Sequence, residues 1–235
     1  RIKEFEERQR AISARLRKQE LALNGADLLE KSLVKKIPLQ NVGGRIVGVD
    51  GSIVSEELQG LDLVLVRACA VAFDYEQSHL INCDYYPSTI PIPEVLIKYA
   101  LENHEFAWLK SIKRLYNEVS IAIEAVKKFS PKALLLDGSI IPQPSDRPAK
   151  DSAVFEEYKM LAEKFLELFK LCDQKNCFLI GVIKDSRGKH FLKIIERILA
   201  ANEGGKADWG DCEEVLSNAN ASSFLTHLLS EGERT

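Results

Sequence analysis

The chain has 235 residues, a formal net charge of −3, and 46% hydrophobic and 29% charged residues. That length holds one large domain or two small ones around a sizeable core. The slightly acidic balance disfavours binding nucleic acid by bulk positive charge, though it leaves room for a locally basic groove. No apolar run reaches the roughly 18 residues of a membrane span, and no secretory signal opens the sequence. The five cysteines, Cys69, Cys83, Cys172, Cys177 and Cys212, lack Cys-x-x-Cys spacing. This disfavours a zinc site or a disulfide framework and leads to the expectation of reduced thiols in a cytoplasmic protein. The first residue is Arg rather than Met, so the sequence is expected to be part of a longer product.

Residues 1 to about 23 predict an amphipathic helix, with Ile2, Phe5, Ile12 and Leu16, then Leu21 and Leu23, striped among Glu, Arg and Lys. Such a helix packs on its own domain or on a neighbouring subunit. Asn24-Gly25 ends it, and 26–39 reads as a short helical connector. Three strand-like runs follow: 45–55, 61–73 and 78–86. Their short joins predict an antiparallel meander. Pro87, Pro91 and Pro93 break the pattern, and 94–128 reads as mostly helical, with an apolar stripe of Leu115, Val119, Ala122, Ile123 and Val126. Ser130-Pro131 stops it. A buried strand is predicted at 132–140, an amphipathic helix at 153–172, a third apolar strand at 177–184, and helices at 190–200 and 212–229. The order β-β-β-α-β-α-β-α predicts an α/β fold. Its sheet is mixed, with three antiparallel strands, then strands parallel to the first, and helices flank it.

Chemistry concentrates at two similar phrases. Val47-Gly48-Val49-Asp50-Gly51-Ser52 and Leu134-Leu135-Leu136-Asp137-Gly138-Ser139 each carry an aspartate out of a strongly apolar strand. Burying an unpaired carboxylate is costly, so the pair calls for a cation. One Asp-Gly-Ser is a common turn sequence, its Gly serving a positive φ; two, on strands predicted to be neighbours, point to a shared site. Oxygen-only ligands suit Mg²⁺ or Mn²⁺, and such ions serve phosphoryl transfer. A third carboxylate is expected from the helix before the second phrase. Glu118, beside the apolar stripe, is preferred to Glu124, which precedes Lys127 and Lys128.

Lys184-Asp185-Ser186 follows the third apolar strand in the same way. Lys184 is a candidate phosphate contact, and Asp185 a candidate metal ligand or a partner for Lys184. Capping of the next helix is an equal alternative. The histidines (His79, His104, His190 and His227) have no ligand spacing. Neither a phosphate-binding Walker loop nor a Gly-x-Gly-x-x-Gly after a strand occurs.

With its order of strands and its Gly-Val-Ile-Lys-Asp-Ser and Gly-Glu-Arg-Thr phrases, the chain resembles the NurA nucleases of archaea and some bacteria. The resemblance covers roughly 40–235. It implies an RNase H-like core and a Mn²⁺-dependent deoxyribonuclease, with single-strand endonuclease and 5′-to-3′ exonuclease activity. It also implies a homodimer that works with a HerA-type hexameric helicase in DNA end resection. Asp50 and Asp137 match the metal-binding aspartates, and Glu118 matches by its place on the helix. The implied division is an N-terminal helical segment, 1–40, and a nuclease domain, 41–235. Family members continue beyond Gly-Glu-Arg-Thr to further strands and a helix with a site histidine or tyrosine, so this domain is expected to be incomplete at its C-terminal end. A non-catalytic scaffold that binds a motor or DNA is the alternative, as is action on RNA or hybrids.

Overall fold

Two long apolar runs separated by Gln59-Gly60 build the first hairpin of the sheet. In a computed structural model of the chain the described residues are 1–18, 30, 32–99, 101–143, 146–184, 188–202 and 210–235. They divide into two units. One comprises Asn41–Ile183, the other Arg1–Gln40 with Lys184–Thr235.

In the first unit β2 (Gly44–Leu58) pairs antiparallel with β3 (Leu61–Glu76), from Gly44 opposite Tyr75 to Leu58 opposite Leu61. The two-residue turn needs Gly60, whose φ is +91°, as tight hairpins commonly do. β4 (His79–Tyr86) continues the meander along the far half of β3. β6 (Ala133–Asp137) lies parallel to β2 on its other side, and β7 (Phe178–Val182) lies parallel to β6. The sheet order is therefore β4-β3-β2-β6-β7, the mixed sheet of antiparallel and parallel strands expected from the sequence.

One expectation is corrected. Residues Glu94–Tyr99 form a strand, β5, rather than the start of a helix. β4 covers β3 only from Ala70 onwards, so Leu61–Val66 have open backbone groups, and β5 pairs with them. That non-local pairing overrides local propensity.

The helix α2 (Asn103–Phe129) follows. Glu105 in its first turn accepts from Ser152 Oγ and the Ala153 N–H, both at 2.9 Å. Its last turn carries Lys127 and Lys128, favourable at a helix C-terminus. The Ser130 N–H closes it on the Val126 carbonyl, with Ser130 in the left-handed region. α2 and α3 (Phe155–Gln174) supply one core with the sheet: Leu109, Ile112 and Ile123 of α2, Leu161 and Leu168 of α3, and Val47 and Leu134 of the strands are fully buried. Each such side chain contributes about 1.5–3 kcal/mol by leaving water.

The second unit has its own core. α1 (Ile2–Lys18) buries Ile12 and Leu16, while Ile2 is exposed. They pack with Leu192 and Ile195 of α4 (His190–Asn202), Val215 of α5 (Gly210–Asn218), and Phe224 and Leu228 of α6 (Ala221–Leu228). The N-terminal stripe thus packs within this unit, as one of its two expected uses allowed. The single helix expected at 212–229 is two, because the Asn220 side chain accepts from the Ser223 N–H at 2.8 Å and caps a new start. The described part of the expected helical connector contains a strand instead. β1 (Lys35–Lys36) pairs with β8 (Glu233–Arg234), and Arg17 makes two bonds to Glu233, at 2.6 and 2.8 Å. Leu21, Leu23 and Asn24-Gly25 lie outside the described residues.

Candidate active site

Register brings the two aspartates side by side. The β2–β6 ladder ends with Val49 opposite Leu136, and Asp50 and Asp137 are the next residue on each strand. Neighbouring strands run about 4.8 Å apart, and side chains alternate between faces. Val47, Val49, Leu134 and Leu136 are buried on the face that carries the helices. Asp50 and Asp137 therefore belong to the other face, together with Gly48 and Leu135. Asp50 is exposed and Asp137 half-buried. The Gly51 N–H donates to Asp50 Oδ1 at 2.8 Å.

Glu118 approaches from the helix side. It is buried, at 5% exposure, in the middle of α2. A Cβ at Gly51 would lie 2.6 Å from Glu118 Cγ and 2.7 Å from Oε1. The side chain thus occupies the space that glycine leaves at the backbone next to Asp50. Gly51 is not in the left-handed region, so this close approach is what the position requires. Gly138 is different. Its φ is +109°, with nothing near its missing Cβ, and there the glycine serves the turn out of β6.

Burial pushes the Glu118 carboxyl up to about 7, and the charges of Asp50 and Asp137 push it the same way, against the Arg114 guanidinium. Arg114 Nη1 donates to Glu118 Oε1 at 2.7 Å from one helical turn away. The three carboxylates named from the sequence are therefore within electrostatic reach of one another. Among the described residues, no three His, Cys, Asp or Glu side chains converge closely enough to hold a metal ion as they stand. Glu118 comes from one face of the sheet with Arg114 attached, whereas the aspartates belong to the other.

Glu124 is exposed and pairs with Lys127 at 2.8 Å. Lys184 is exposed two residues after β7, and Asp185 lies outside the described residues. Arg114 was not singled out from the sequence, although its i,i+4 spacing to Glu118 is legible there. Beside Asp50 opens a cleft of about 420 Å³ whose walls include Ser52, Arg67, Cys69 and the Thr89-Ile90-Pro91 loop.

No protein-family model matches the chain, and no curated protein does. Solved structures do match. The NurA nuclease from Sulfolobus solfataricus is similar at 17% identity and a TM-score of 0.41, over 69% of this chain and 56% of that one. A NurA bound to dAMP and manganese is similar at 12% identity and a TM-score of 0.34, over 85% of this chain and 51% of that one. RNase H1 from the halophilic archaeon Halobacterium salinarum is similar at 14% identity and a TM-score of 0.29, over 74% of this chain and 98% of that one. The chain spans little more than half the length of the two NurA structures, and each of the three neighbours is a nuclease.

Proposed function

We propose that the chain is the metal-binding part of a DNA nuclease, with Asp50, Glu118 and Asp137 as the ligands of a divalent cation. The observation that carries this is Glu118. A carboxyl is buried in the middle of a helix, its proton retained up to about pH 7 by burial and by the charges of two aspartates. A purely structural position would be filled at lower cost by an apolar residue. The donor set fits a hard cation, since all three groups offer oxygen and their mutual repulsion is relieved by positive charge.

A bound divalent ion supplies charge at the scissile phosphate and acidity to the attacking water. The chain's own residues prepare the place. Asp50 and Asp137 hold negative charge at adjacent strand positions. Gly51 leaves space for Glu118. Arg114 donates to Glu118 Oε1 and favours its charged form. Because Glu118 must lose its proton to become a ligand, metal affinity should rise with pH through about 7.

The motif resemblance supports the finer reading: Mn²⁺, with Mg²⁺ as the alternative; endonuclease action on single strands and 5′-to-3′ exonuclease action on ends; a homodimer; and a HerA-type hexameric partner in end resection. Lys184 and Asp185 join the proposal from sequence order alone. The test is degradation of a labelled DNA single strand with Mn²⁺ against EDTA. Asp50→Ala or Asp137→Ala should abolish it with the circular dichroism spectrum unchanged. Full activity in either variant would sink the ligand assignment. A non-catalytic scaffold is the second reading, favoured by the unfinished convergence of the carboxylates. It predicts DNA binding without Mn²⁺-dependent degradation, and parallel RNA and hybrid substrates would separate an RNA-directed enzyme.

A further inference from the structure

We infer that Arg67 is a positioning residue for the nucleic-acid strand, holding a backbone phosphate next to the one at the carboxylate cluster. The inference rests on the nuclease reading above and adds a binding subsite to it. Asp50 stands opposite Cys69 in the β2–β3 ladder, and Ser52 stands opposite Arg67. Arg67 is therefore two residues along β3 from Asp50's partner and on the same face. Two residues of strand span about 7 Å, comparable to one nucleotide of an extended strand.

The use of the arginines in this unit is uneven. Arg45 is spent on Asp74 through two bonds of 2.6 and 2.7 Å, and Arg114 on Glu118. Arg67 Nε donates to Ser52 Oγ at 3.2 Å. Among the described residues its two terminal NH₂ groups have no partner and no carboxylate pairs with it. The guanidinium is thus oriented by one bond from its inner nitrogen, with the outer fork open. That fork matches a phosphate, which accepts two parallel N–H bonds.

The cleft of about 420 Å³ is lined by Asp50, Ser52 and Arg67 together with Thr89 and Ile90. Ser52 and Thr89 add hydroxyl donors, and Ile90, 76% exposed, offers an apolar wall for a sugar or base face. A strand passing Asp50 would lay its next phosphate on Arg67. A single-stranded phosphodiester is the ligand class, since no base-edge readout is built here.

The test is anisotropy of a fluorescent oligothymidylate in EDTA across a salt series, with wild type, Arg67→Ala and Arg67→Lys. Loss of one phosphate contact should flatten the log–log salt slope by about 0.7. It should also weaken binding several-fold at low salt, with Arg67→Lys restoring the slope but only part of the affinity. With Mn²⁺, Arg67→Ala should raise KM by a similar factor and leave kcat within about twofold, the signature of uniform binding. Equal affinity and slope in wild type and Arg67→Ala would overturn the subsite, even with cleavage intact. A binding loss in Arg67→Ala alongside no Mn²⁺-dependent cleavage by wild type would uphold the subsite and overturn the catalytic reading. The two failures are therefore told apart.

Discussion

The two Asp-Gly-Ser phrases look alike on paper and differ in the molecule. Around Asp50 the strand runs on for eight more residues, to Leu58, and the glycine makes room for a buried carboxylate from α2. Around Asp137 the strand ends at the aspartate, and the glycine turns the chain in a conformation that side chains rarely adopt. One glycine is a gap in a continuous strand, the other a hinge at a strand end. Both deliver an aspartate to the same row across the sheet. Identical triplets therefore carry their meaning in what lies opposite them.

Four experiments sharpen the comparison. The largest effect should come from the aspartates themselves. Asp50→Asn and Asp137→Asn should each lower Mn²⁺-dependent cleavage by about 10³-fold, several kcal/mol of lost transition-state stabilisation. A single-turnover assay on a labelled single strand checks this. Equal losses support a shared site, and a loss confined to one aspartate breaks it.

Next is the protonation of Glu118. Its carboxyl titrates at about 7 in the folded chain against an ordinary 4.5. Between those values the folded state keeps a proton that the unfolded state releases. The contribution of Glu118 to stability should therefore be greatest below about pH 4.5, fall as pH rises to about 7, and level off above. Glu118→Gln lacks that decline, so in EDTA at pH 8 it should be more stable than wild type by on the order of 3 kcal/mol, the two converging in acid. Urea unfolding at a series of pH values measures it, and parallel curves for the two proteins would remove Glu118 from the cluster.

The glycines come third. Gly51→Ala should cost about 1–3 kcal/mol by overpacking against Glu118, and Gly138→Ala about 1–2 kcal/mol by backbone strain. A double-mutant cycle distinguishes them. Truncating Glu118 to Ala should recover much of the Gly51→Ala loss and none of the Gly138→Ala loss. The smallest effect belongs to Glu124→Gln, an exposed carboxylate paired only with Lys127 among the described residues. Its stability should stay within about 0.5 kcal/mol of wild type and its cleavage unchanged. A large loss of activity there would reopen the choice between Glu118 and Glu124.

Much of this was legible before any coordinates. Apolar, β-branched runs with short joins specify strands and hairpins locally, so the meander and the β-α-β-α alternation follow from the chain alone. Asp50 and Asp137 announce themselves because a carboxylate is expensive at the end of an apolar strand, and Glu118 because it borders an apolar helical stripe. Tertiary structure decided the rest, because the deciding contacts are far apart in sequence. Residues Glu94–Tyr99 became a strand only because β4 left part of β3 unpaired. Gly51 acquired its purpose from a glutamate 67 residues further on. Arg67 differs from Arg45 only in what stands near it, an aspartate at hydrogen-bonding distance in one case and a serine in the other. Local pattern specifies which residues prefer strands and helices and which charges need a reason. Only the three-dimensional arrangement decided which of those charges meet, since register, close approach and burial are set by partners the local chain does not contain.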